Sequence, residues 1–224
     1  DDPYFPSMPL FGFGAGAIGL GSDGGITRNH IDAGLHQYHT GQSLFYLQTD
    51  AASAPEPLTQ GEFWMLYPKS GYRFETNATP VQLAVTQFSP VLPNNYRETS
   101  LPVGIFQVHA ANPTNTPQHL TISIPLDRFT ALVRWDASTV QRVPPQQGGR
   151  TEGVVVKGGS MVDGTPWEEG WGEMALAVAP QPGVTVNVEN QFANGPAGAL
   201  SVTLILAPNQ TLTVPISLAM DFPD

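Results

Sequence analysis

The sequence predicts an all-β fold, an antiparallel β-sandwich built as a single domain, and three observations carry that reading. Short segments alternate apolar and polar residues with the period of two expected of half-buried strands, most cleanly over residues 81–88 and 120–126. Glycine and proline, 23 and 22 of the 224 residues, punctuate the intervals between them. No window of about eleven residues carries a helical apolar stripe. Short strands at such spacing read as a sandwich or a barrel.

Taken in order, residues 10–28 hold seven glycines: Gly12, Gly14, Gly16, Gly19, Gly21, Gly24 and Gly25. Glycine at this density forfeits side-chain packing and costs backbone entropy on ordering. It reads as a glycine-rich edge or loop whose backbone comes close to another surface. Residues 30–40 are polar and irregular, and 43–47 is a strand. A proline-containing loop over 51–57 leads to an aromatic strand at 62–67, ended by Pro68. The strand at 81–88 turns Val81, Leu83 and Val85 inward, and the loop 89–96 follows it. Strands at 103–111 and 120–126 flank Asn112-Pro113-Thr114-Asn115, a strong turn signal. Further strands are expected at 129–135, 153–156, 172–178, 184–188, 200–206 and 212–220.

Composition narrows the function. Charged residues make up 12% of the chain, against roughly 25% in ordinary globular proteins, and the net charge is -10. A surface of that sign does not suit a nucleic-acid backbone. Lys69 and Lys157 are the only lysines, so no polybasic membrane patch exists, and no apolar run reaches the roughly 18 residues of a membrane span. Cysteine is absent, which excludes disulfides, thiolate metal sites and a cysteine nucleophile. The chain opens at Asp1 rather than methionine, so it is expected to be a fragment or a processed product. The sequons at Asn77 and Asn209 have meaning in a secreted protein, and the compartment leans extracellular without being fixed.

Four patterns invite a chemical reading. Gly14 to Gly19 spells G-x-G-x-x-G, but Pro6 and Pro9 precede it and Gly21, Gly24 and Gly25 follow, so neither the strand nor the helix of a dinucleotide site is expected. His36 and His39, with His30 and Asp32 nearby, lack a helix that would converge them, and they read as an exposed polar loop. His109 and His119, on strands, read as surface or hydrogen-bonded side chains. Asp163, Glu168, Glu169 and Glu173 surround Trp167 and Trp171 in a glycine-rich loop. Tryptophan beside carboxylate suits sugar: a ring to stack on and an acceptor for hydroxyls. Trp167, Glu168 and Trp171 are therefore the candidate sugar contacts, or contacts to a partner surface. Adjacent glutamates such as Glu168 and Glu169 point apart on a strand and make a poor hydrolytic pair. No nucleophile elbow occurs. No catalytic residue, metal ligand or cofactor is nominated.

The run from Pro9 through Gly12, Gly14 and Gly16 to Gly19 resembles the opening of glycoside hydrolase family 116, the β-glucosidase and non-lysosomal glucosylceramidase family. Phe11 and Phe13 stand where that opening has Gly and Ile. The longer run Phe88-Ser89-Pro90-Val91-Leu92-Pro93-Asn94-Asn95-Tyr96, continuing through Ser100-Leu101-Pro102-Val103 to Asn112-Pro113-Thr114, is similar to a second family pattern. Ser217 to Pro223 resembles the exit from the family's N-terminal domain. The resemblance spans nearly the whole chain. It implies a β-sandwich that packs on a C-terminal (α/α)6 barrel, in cis or as a separate chain, and that the catalytic carboxylates belong to that barrel, which is absent from this sequence. Gly12, Gly14, Gly16, Gly19, Pro90, Pro93, Asn95 and Tyr96 are then the expected interface. Two function classes follow: a non-catalytic accessory domain of a β-glycosidase, and a freestanding extracellular structural or self-assembling subunit. A flat apolar face beside the glycines favours the first, and an exposed apolar strand edge favours the second.

Overall fold

The computed structural model describes residues 7–12, 16–22, 24–30, 37–38, 42–129, 140–143, 152–162, 165–179, 181–189, 191–193 and 198–221. Within them the regular structure is almost entirely strand. The first four are β1 (Ser7–Leu10), β2 (Ala17–Gly21), β3 (Ile26–His30) and β4 (Gln37–Tyr38). Next come β5 (Tyr46–Thr49), β6 (Glu56–Pro57), β7 (Gly61–Leu66), β8 (Lys69–Phe74) and β9 (Gln82–Phe88). After a one-turn helix α1 (Tyr96–Thr99) follow β10 (Val103–Ala111), β11 (Gln118–Pro125), β12 (Val140–Val143), β13 (Glu152–Val162) and β14 (Thr165–Val178). The chain closes on β15 (Val184–Glu189), β16 (Ala199–Leu206) and β17 (Thr211–Asp221).

These form three antiparallel sheets. An eight-stranded sheet runs β12-β13-β14-β17-β10-β9-β8-β7, a five-stranded sheet runs β15-β16-β11-β5-β6, and β1 to β4 make a small sheet in chain order. The expected all-β sandwich is thus the observed architecture. Its core follows from alternation. Leu83 and Val85 on β9, Phe106, Val108 and Ala110 on β10, and Val214, Ile216 and Leu218 on β17 are buried together with Leu120, Ile122 and Ile124 on β11 and Leu200, Val202 and Leu204 on β16. Phe45 bridges the layers, edge-on to Phe106 at 5.8 Å and to Phe74 at 6.1 Å. Leu10, Ile18, Leu20 and Ile26 bring the small sheet into the same core.

The expected turn at Asn112 proves to be a lock. Its buried Oδ1 accepts from the Thr114 N–H at 3.0 Å and hydroxyl at 2.7 Å. Its Nδ2 donates to Thr116 O at 2.8 Å and to Ala207 O at 2.9 Å. One side chain therefore ties the β10–β11 turn to the β16–β17 turn, because an amide offers both donors and acceptors.

Several expectations need correction. The strand expected at 43–47 starts at Tyr46, and Leu126–Phe129 is a 3-10 turn where a strand was expected to begin at 129. Residues 130–135 lie outside the described ones. Strand β8 was not expected: Pro68 and Gly71 read as punctuation, yet Tyr67 and Pro68 form the two-residue turn of a hairpin whose register pairs Trp64 with Gly71. Part of the glycine-rich run, expected as an edge or loop, is strand β2, whose neighbours are β1 and β3. Gly16 is followed directly by strand β2. No helix among the described residues is long and apolar enough to cross a membrane.

Phe106 sits at the centre of the core with no exposure. Phe106→Ala is expected to destabilise the fold by about 3–5 kcal/mol, measured by urea unfolding. His109, on the outward face of β10, is held between Thr86, whose Oγ1 is 3.2 Å from Nε2, and Thr213, whose Oγ1 is 3.0 Å from Nδ1. Partial burial lowers its pKa below the ordinary 6.5. The folded state therefore prefers the neutral ring, and the unfolded chain binds a proton first as pH falls. Its contribution to stability is present above pH 6.5 and is lost as pH drops below that value toward the lowered folded pKa. Unfolding free energies of the protein and of His109→Gln, compared between neutral and mildly acid pH, are expected to show a shallower decline for the variant.

Candidate functional site

The registers place several features at one end of the eight-stranded sheet. β9 finishes there at Phe88, which pairs with Ile105 and with Lys69, and the β7–β8 turn lies beside it. Val103 pairs with Ala219, and Glu173 with Asp221, so β17 also leaves at this end. The loop 89–102, the β7–β8 turn and the end of β17 thus share one edge of the molecule.

The loop is folded, not slack. Asn95 caps α1, its Oδ1 accepting from Glu98 N at 3.2 Å. Thr99, buried, clamps residue 92 both ways: its Oγ1 accepts from Leu92 N at 3.0 Å and donates to Leu92 O at 3.1 Å. Pro102 O accepts from Met220 N at 3.1 Å, tying the loop to the final strand. From the other side the N-terminal segment presses in. Gly12 donates its N–H to Leu101 O at 3.1 Å, and a Cβ at residue 12 would stand 2.1 Å from Thr99 O. Phe11 takes a φ of +98°, strained for a residue with a side chain, while its N–H donates to the Ser89 hydroxyl at 2.6 Å.

Of the residues expected at an interface, the structure brings Gly12 together with the 89–101 loop: the glycine's close approach is to its own chain. Gly19 is buried in β2, between Pro9 and Arg28 on the neighbouring strands. Gly16 is half-buried, and Gly14 lies outside the described residues. Pro90 and Asn95 are half-buried, while Pro93 is exposed and Tyr96 is 80% exposed. Composition alone did not single out the neighbours of Tyr96 at this end. Leu66, Tyr67, Leu92 and Leu101 are all exposed large apolar side chains. Their signal was an apolar residue at a turn or in a loop, where water would otherwise select polar ones.

Trp167, Glu168 and Trp171 were expected in a loop; the structure puts them on β14. Beyond Glu173↔Asp221 that strand no longer pairs with β17 but continues with β13, Trp171 opposite Gly159 and Thr165 opposite Val162. Eight further residues of β14 run against five of β13 (158–162) across a register shift, making a two-stranded arm that passes the sheet by roughly 16 Å at about 3.3 Å per residue. His36 and His39 lie outside the described residues. His119 is an exposed side chain 3.7 Å from Asp50.

The family comparison decides the relationship. The sequence model described as "beta-glucosidase 2, glycosyl-hydrolase family 116 N-term" matches residues 7–197. The chain belongs to this N-terminal-domain family. Solved structures that resemble it include a chain described as a kojibiose phosphorylase from human microbiome, at 10% identity and a TM-score of 0.43, covering 80% of this chain and 22% of that one. Another is a variant of the GH36 α-galactosidase AgaA from Geobacillus stearothermophilus in complex with stachyose, at 10% identity and a TM-score of 0.39, covering 81% of this chain and 30% of that one. The chain spans less than a third of the length of either.

Within this family member, a single methyl group at residue 12 would collide with the backbone of the loop, 2.1 Å from Thr99 O. Gly12→Ala is expected to cost about 3 kcal/mol or more, because backbone must move. Thr99→Val, which strands both polar groups of Leu92, is expected to cost about 1–3 kcal/mol. Urea unfolding of both variants checks the ranking.

Proposed function

We propose that this chain is the non-catalytic N-terminal accessory domain of a β-glucosidase-type glycoside hydrolase, and that it packs against and supports a catalytic (α/α)6 domain. The observation that carries the reading is that Leu66, Tyr67, Leu92, Tyr96 and Leu101, all exposed apolar side chains, lie at the one end of the sheet where β17 leaves it. A hydrogen-bonded loop loses little entropy when it docks, so its apolar area contributes almost fully to association. The family description, which names an N-terminal part of a β-glucosidase, supports the nature of the partner. Gly12 supports this interface from behind, fixing the loop, and Pro90, Pro93 and Asn95 set its contour. The β13–β14 arm extends the same end, and Trp167, Glu168 and Trp171 are its proposed sugar-facing members. Sandwich and barrel together would hydrolyse a β-glucoside, with both carboxylates supplied by the barrel.

The test uses the polypeptide that joins this chain to its catalytic domain. Leu66→Ser with Tyr96→Ser removes two side chains worth about 1.5–3 kcal/mol each when buried. The expected result is a melting temperature of the joined protein lowered by several degrees, with that of the separate sandwich unchanged. Equal behaviour of variant and parent in the joined protein would overturn the reading. So would native mass spectrometry of the natural material showing a homopolymer ladder in place of a catalytic partner.

A further inference from the structure

A second feature stands on the outer face of the eight-stranded sheet, one outward position along β7 from Leu66. On β8, Lys69, Gly71 and Arg73 point outward, opposite to the buried Ser70, Tyr72 and Phe74. Lys69 and Arg73 are exposed, as outward residues should be, but Gly71 is buried. Its cover is Trp64, its register partner on β7. A Cβ at Gly71 would lie 2.5 Å from each of Cε2, Cζ2 and Nε1 of the indole, so the ring lies against bare backbone where any side chain would lift it away. Trp64 nevertheless remains 47% exposed. One side of the indole is seated on glycine, and much of the rest is open to solvent.

We propose that Trp64 is the floor of a carbohydrate-binding site that takes the apolar face of a neutral pyranoside ring. The axial C–H groups of a glucose-type ring carry partial positive charge and meet the negative face of an indole favourably. A ring already seated on backbone has little rotamer freedom left to lose on binding.

The surroundings match the rim of a sugar, which is a ring of hydroxyls. Glu62 and Arg73 pair at 2.8 Å with both side chains about two-thirds exposed. They sit one outward position along the strands from Trp64 and Gly71, about 7 Å away. The pair offers donors and an acceptor within one hydroxyl-bearing radius, and its charges cancel, which favours an uncharged ligand. On the next strand Thr86 pairs with Gly71, and beyond it Gln107 pairs with Thr86, each a strand spacing of about 4.8 Å further in. Lys69, on the other flank, is drawn over the Phe88 ring at 5.3 Å. A protein partner seated on Trp64 would desolvate this polar rim, whereas a sugar replaces its water with hydroxyls.

The experiment titrates the chain with cellotetraose and follows the tryptophan indole N–H signals by NMR, with Trp64→Phe assigning the relevant resonance. The expected result is a saturable shift of the Trp64 signal. Trp64→Ala should weaken binding about ten-fold or more, and Trp64→Tyr, which keeps a ring, should recover most of it. Gly71→Ala should also weaken binding, with Trp64 still present, because the new methyl group unseats the indole. Circular dichroism and melting curves verify that each variant is folded. Binding by Trp64→Ala equal to that of the parent, or an unmoved Trp64 signal, overturns the proposal. A change of sedimenting mass in the Trp64 variants also overturns it, since the ring would then cover another protein chain.

Discussion

Between residue 12 and the carbonyl of Thr99 there is room for a hydrogen atom and nothing larger. The arrangement of the end where β17 leaves the sheet depends on that fit. With glycine in place, the N–H of residue 12 reaches Leu101 O, Phe11 is held in its strained conformation by Ser89, and Leu10 can pack against Gly104 at the start of β10. The strain at Phe11, of order 1–3 kcal/mol, persists because its buried ring and its hydrogen bond both oppose relaxation. The small sheet is thereby fastened to the same loop that offers Tyr96 to solvent. Two stretches separated by some eighty residues, each recognisable as a family pattern, prove to be the two sides of one joint.

The same contact recasts what the patterns are for. Of the second pattern, Ser89, Asn95, Thr99 and Asn112 each spend their side chain on backbone partners. They shape the chain and are not available for chemistry. The large apolar side chains it leaves facing outward are Leu92, Tyr96 and Leu101. A long motif of this kind thus divides by physical role: polar members that build a contour and apolar members that the contour presents.

Much of the fold was legible because alternation is a direct image of burial. Residues 81–88, 103–111 and 200–206 are strands within a residue or so of their expected bounds, and Val81, Leu83 and Val85 turn inward as the pattern required. β8 was hidden because a glycine at an outward position looks like a turn, and here it is seated under an indole from the next strand, a tertiary fact with no local signature. α1 was hidden because four residues give no periodicity, and its capping asparagine looks like any loop residue. β14 was extended into the Trp167–Trp171 stretch by pairing with β13 over residues whose glycines suggested a loop. The exposed apolar residues at this end of the sheet were visible individually. Their convergence was not, since it depends on which strand ends lie side by side.

The eight-stranded sheet stops at β7, and nothing described pairs with that strand's far side. Natural sheets usually protect such a border with charge, proline or a bulge. Here the border carries Trp64, Met65 and Leu66, with Glu62 as its one acidic group. Among the described residues, the outer N–H and C=O groups of this strand have no ladder partner. The opposing force is global: a net charge of -10 makes molecules repel at neutral pH and low salt. That repulsion vanishes near the isoelectric point of about 4.7 and is screened by concentrated salt. Colloidal behaviour of the separated sandwich thus sets the apolar border at β7 against the charge of the whole surface.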